Sequence, residues 1–75
     1  MPVAYLLVNT EAFEPELLKV LRSIKGVEEA YAVYGVYDII VTTKADTMSH
    51  LKDIHNKIRK LNKVRQTLTM IAHEG

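Results

Sequence analysis

Two stretches of this chain, Val3 to Val8 and Tyr37 to Thr43, are apolar or nearly so at odd and even positions alike. A strand with one wet face alternates apolar and polar residues, so a strand apolar on both sides has to be covered on both. In a chain of 75 residues, one domain's worth, little material is left to cover a sheet twice, and the core alone supplies only a few kcal/mol. There is no cysteine for disulfides or thiolate metal sites, which makes self-association the expected source of the missing cover.

Between and after these stretches the chain reads as alternating element types. Pro15 suits a first helical position, where its missing N–H costs nothing. Leu17, Val20, Leu21 and Ile24 then share one helical face, and Gly26 is the expected C-terminal cap. Val27 to Tyr34 and Tyr37 to Thr43 read as two strands joined at Gly35. A two-residue Gly-Val loop there suits a type II′ turn, with Gly35 taking the positive φ. Asp46 or Thr47 caps a second helix, whose stripe is Met48, Leu51, Ile54, Ile58 and Leu61, with His55 on its border and Asp53 and Lys57 set for an i,i+4 ion pair. Val64 to His73 alternates as a last strand. The order β-α-β-β-α-β predicts an α+β, ferredoxin-like fold in residues 1–75: a four-stranded antiparallel sheet with two helices on one face. The bare face calls for sheet-to-sheet stacking of two copies, a dimeric α/β sandwich.

Composition narrows the function classes. At 48% hydrophobic and net charge +1, the chain is globular and has no overall electrostatic attraction to nucleic acid. No recognition helix for duplex DNA is evident, and no apolar run reaches membrane-spanning length. The N-terminus lacks a signal-peptide pattern, so a cytoplasmic location is expected. Charge is uneven: residues 1–38 hold three bases and six acids, and residues 39–75 hold seven bases and three acids. Lys52, Arg59, Lys60 and Lys63 read as a basic outer face of the second helix: a solvated face in the plainest reading, a phosphate-binding stripe in another, or a surface that meets the acidic first helix of another subunit.

Asp38 asks for an explanation, because a carboxylate heading the apolar run Ile39-Ile40-Val41 is costly without a partner. Next to a turn with free N–H groups it offers an acceptor for a ligand's ammonium and donors for its carboxylate, the two ends of an amino acid. Thr67 and Thr69 share a strand face and supply hydroxyls. The plainer reading keeps Asp38 on its own hairpin backbone and makes the threonines ordinary strand formers. Tyr31, Tyr34 and Tyr37 suit either ligand stacking or cross-strand packing. His50 and His55 are five apart and do not share the helix face that i,i+4 metal ligands need, so neither metal nor cofactor is expected. Nucleophilic catalysis has no support, with no cysteine and no serine elbow.

Val33-Tyr34-Gly35-Val36-Tyr37-Asp38 and Val64-Arg65-Gln66-Thr67-Leu68-Thr69 together resemble the effector-binding domain of the Lrp/AsnC family, the regulation-of-amino-acid-metabolism domain. The resemblance runs over essentially the whole chain in element order and length, and the helix-turn-helix domain of the family's regulators is missing, as in a stand-alone version. It implies dimerisation through the sheets, assembly of dimers into a tetramer of dimers, and an amino-acid effector bound between dimers. The positions implied for binding are Tyr34, Gly35, Val36, Tyr37 and Asp38 in the loop, and Thr67 and Thr69 on the last strand. Val36 departs from the family, whose members usually have a polar or acidic residue there. The expected function is non-enzymatic: a homo-oligomeric module that binds an amino acid or related metabolite and modulates transcription indirectly, by co-assembly with full-length Lrp/AsnC regulators. A small enzyme of the dimeric α/β-barrel type and an amino-acid-binding domain of the ACT type share the element order and are the alternatives.

Overall fold

In the computed structural model, which describes residues 2–12 and 14–72, the elements are β1 (Val3–Thr10), α1 (Pro15–Ser23), β2 (Val27–Ala32), β3 (Ile39–Lys44), α2 (Met48–Arg59) and β4 (Val64–Ile71). All strand pairs are antiparallel, in the sheet order β2-β3-β1-β4. The two strands that are apolar on both sides are thus the central ones. The predicted ferredoxin-like order and its helix-covered sheet are what the chain forms. The expected extension of the last strand to His73 lies outside the described residues.

Register decides which of the two apolar sets of each strand goes inward. Ala4, Leu6 and Val8 lie opposite Thr43, Val41 and Ile39, and all six are fully buried. Leu17 and Leu21 of α1 and Leu51, Ile54 and Ile58 of α2 close over this face. A large aliphatic side chain fully buried in such a layer contributes about 1.5–3 kcal/mol. The opposite face carries Tyr5, Leu7, Ile40, Leu68 and Met70, all partly or largely exposed in the protomer. Tyr31 joins them opposite Ile40, and its hydroxyl donates to Glu29 at 2.6 Å, a bond that raises the phenol's pKa.

The helix termini follow their local chemistry. Pro15 sits at the start of α1, as its fixed φ favours. The α1 cap is Ile24 rather than Gly26; Gly26, at φ +100°, instead turns the chain into β2 and accepts the Lys44 N–H at 2.9 Å. Thr47, not Asp46, caps α2 by accepting the His50 N–H at 3.1 Å. The expected Asp53–Lys57 pair is not among the ion pairs of the described residues, which are Glu16–Lys19 and Glu14–Lys63.

The hairpin differs from its prediction. β2 stops at Ala32 and β3 starts at Ile39, so the connection is a six-residue loop, 33–38, and not a two-residue type II′ turn. Gly35 does take positive φ, at +133°. The loop is closed by the Val33 N–H donating to the Asp38 carbonyl at 2.9 Å, while the Asp38 N–H donates to the Val8 carbonyl at 3.0 Å. Asp38 is therefore drawn toward β1, and the β2–β3 ladder ends short of the glycine.

Candidate functional site

Asp38 is half-buried, and its Oδ2 accepts from the Thr10 N–H at 2.8 Å and from the Thr10 hydroxyl at 3.2 Å. The carboxylate thus serves the end of β1, which neither of the two sequence readings foresaw. One oxygen is committed to Thr10. Beside it lies a cavity of about 310 Å³ lined by Ala32, Val33, Tyr34 and Asp38. Tyr34 and Val36 at the loop tip are exposed, and Tyr37 is half-buried.

Thr67 and Thr69 do lie on one face of β4, the helix-covered one, since they pair with Val8 and Leu6. Their hydroxyls meet Arg59 of α2: Nε donates to Thr67 Oγ1 at 3.1 Å and Nη2 to Thr69 Oγ1 at 2.9 Å. Nη1 donates to Asn56 Oδ1 at 3.3 Å. Arg59 therefore lies across onto the sheet edge, a correction to its reading as part of a simple outer basic face. Between α2 and β4 is a second cavity, about 250 Å³, whose lining includes Met48, Leu51, Lys52, His55, Arg59 and Thr69.

His55, 3% exposed, forms the inner wall of this groove. Its Nε2 is 2.7 Å from the Thr43 hydroxyl, which itself reaches the Ala4 carbonyl at 3.2 Å. With the single hydroxyl proton given to that carbonyl, the ring donates from Nε2. Burial, and then the nearby Arg59 charge, push its pKa below the ordinary histidine value.

The seven sequence-predicted residues thus fall into two groups. The loop gathers Tyr34, Gly35, Val36, Tyr37 and Asp38; the β4 face holds Thr67 and Thr69, with β1 between β3 and β4. Two strand spacings are about 10 Å; Tyr34 and Asp38 of the first group line one cavity and Thr69 of the second lines another, while Gly35, Val36, Tyr37 and Thr67 line neither. Arg59 and His55 were missed as site residues. Their signal is the helical spacing of Lys52, His55, Asn56 and Arg59 taken together with the alternation of Thr67 and Thr69. Among the described residues no cluster of metal-ligating side chains forms.

The element order and the sheet covered by helices on one face place the chain in the ferredoxin-like fold class. Residues 4–74 match the family described as the Lrp/AsnC ligand binding domain, and the chain belongs to that family. FFRP-DM1 is 43% identical, with a TM-score of 0.90 over 97% of this chain and 100% of that one. The hypothetical protein PHS023 of Pyrococcus horikoshii is 42% identical, with a TM-score of 0.89 over 100% and 93% of the two chains. A feast or famine regulatory protein of M. tuberculosis, complexed with L-methionine, shares the fold at 21% identity and TM-score 0.83, over 100% of this chain and 52% of that one. No match is found among the curated proteins.

Proposed function

We propose that the chain is an amino-acid-binding, oligomerising module whose effector lies between subunits, with the loop 33–38 of one copy facing the α2–β4 edge of another. The observation that carries this reading is that Tyr34 and Asp38 line one cavity of the protomer and Thr69 another, with β1 between the strands that hold them. Asp38 takes the ammonium, Gly35 and its neighbours in the Tyr34–Tyr37 loop give the backbone a close approach, and Thr67 and Thr69 add hydroxyls. The L-methionine in the M. tuberculosis relative supports an amino-acid ligand. The bare sheet face, with Tyr5, Leu7, Ile40, Leu68 and Met70, supports a sheet-to-sheet dimer, and further contacts at the loops make a tetramer of dimers. Acting in the cytoplasm, the module modulates transcription by co-assembling with full-length Lrp/AsnC regulators. It is not an enzyme in this reading: among the described residues the one buried histidine, His55, lines the α2–β4 groove and is held by Thr43.

Native mass spectrometry with a panel of amino acids tests this directly. Even-numbered assemblies that take up ligand, and that exchange subunits with a full-length regulator, are the expected result. One-to-one binding of an amino acid to a monomer would place the site inside the protomer and overturn the reading.

A further inference from the structure

We infer that the α2–β4 groove reads the carboxylate end of an effector with an aliphatic or thioether side chain, and that Arg59 is its anchor; this rests on the amino-acid reading above. A guanidinium has five N–H donors in a rigid fork. Three of Arg59's are held by Thr67, Thr69 and Asn56, all neutral acceptors, which fixes its plane and leaves two donors unspent. No carboxylate of the described residues forms an ion pair with it. Its charge is thus oriented but not neutralised, the condition in which an arginine binds an incoming carboxylate well.

The rest of the groove fits the same ligand. Lys52 adds a second positive charge on the wall, and His55, its pKa lowered by burial and then by Arg59, lies at the inner side. Met48, Leu51 and Ile71 supply an apolar wall beside the polar Asn56 and Thr69. At about 250 Å³ the space is below that of drug-sized pockets, as suits a single small metabolite. An acid with a short apolar tail satisfies both halves; a second carboxylate would lie against the apolar wall.

Calorimetry on the unmodified protein with three probes separates this inference from the one it rests on: L-methionine, L-methioninamide without the carboxylate, and 4-(methylthio)butanoate without the ammonium. L-methionine and the butanoate are expected to bind and the amide to bind at least about 10-fold more weakly, the scale of a lost charge-assisted hydrogen bond. Arg59→Gln should weaken both acids by about 10- to 100-fold, with Arg59→Lys intermediate because it keeps the charge without the fork. Asp38→Asn should weaken L-methionine and leave the butanoate unchanged. Equal binding of L-methionine and its amide would overturn the carboxylate assignment while leaving the amino-acid reading in place. Arg59-dependent binding of the butanoate alone would keep the groove and remove the amino acid. Binding of none of the three would overturn the inference, and the unmodified-protein arm decides even if an Arg59 variant fails to fold.

Discussion

Asp38 Oδ2 accepts two hydrogen bonds from Thr10, 28 residues away in sequence, from the backbone N–H at 2.8 Å and from the hydroxyl at 3.2 Å. The acid proposed to hold a ligand is also the tie between the β2–β3 loop and the end of β1. On the proposed reading, binding and stability would share one side chain.

Asp38→Ala should accordingly destabilise the fold even without ligand. It leaves the Thr10 N–H without its charged acceptor, a loss of about 1–3 kcal/mol. In a domain of this size each kcal/mol corresponds to roughly 4–8 °C in Tm. Asp38→Asn, which retains an acceptor oxygen, should lose less. A calorimetric scan in which both variants melt with the parent would show that the Thr10 contacts carry no weight.

Leu68 stands on the bare sheet face, 45% exposed and opposite Leu7. Leu68→Asp places a charge where sheet-to-sheet stacking would bury it, so light scattering should report loss of the dimer. The parent's Tm should rise with protein concentration and the variant's should not. A parent that is a folded monomer at micromolar concentration would refute the assembly.

His55 links stability to pH. Its folded-state pKa is lowered, first by burial and then by Arg59, so the unfolded chain binds the proton more readily. Stability is full above the unfolded value of about 6.5 and is lost as pH falls from there toward the folded pKa. Thermal melts between pH 7.5 and 5 should show this fall, and His55→Gln should flatten it. An equal slope in the variant would assign the effect to other groups.

Gly26 and Gly35 both have positive φ but differ in what surrounds them. A Cβ at Gly26 would collide with the Ile54 side chain, whereas at Gly35 nothing lies within 4 Å. Gly26→Ala should cost more than the ~1 kcal/mol typical of backbone strain alone, and Gly35→Ala should stay near that figure. Urea unfolding of the two variants gives the comparison; equal losses would mean that Ile54 yields without cost.

What the sequence discloses about this fold follows the range of the interactions involved. Helix α2 was legible because its stripe from Met48 to Ile58 and its Thr47 cap are local patterns. The choice between Tyr5 and Leu6, or Ile39 and Ile40, for the bare face was not, since both sets are apolar and only register separates them; the structure gives Tyr5 and Ile40. The type II′ turn was wrong because Asp38 bonds to Val8 and Thr10 of a distant strand. A loop's own residues carry no trace of such partners. Within the site, the loop motif and the two threonines were readable as residue types in a pattern. Arg59 was not, because its bonds to Thr67 and Thr69 span eight and ten residues and exist only once β4 lies along α2.

The separation of the two cavities within one protomer has a consequence for how such a module would respond in a cell. If half of each site lies on either subunit, as proposed, occupancy would depend on the amount of the protein as well as on the amount of effector, because a dilute pool of protomers would present only unfinished halves. Synthesis of more chain would then raise apparent sensitivity at constant metabolite level. Mixing with a longer relative that carries only one competent half would lower it, so stoichiometry itself becomes a signal.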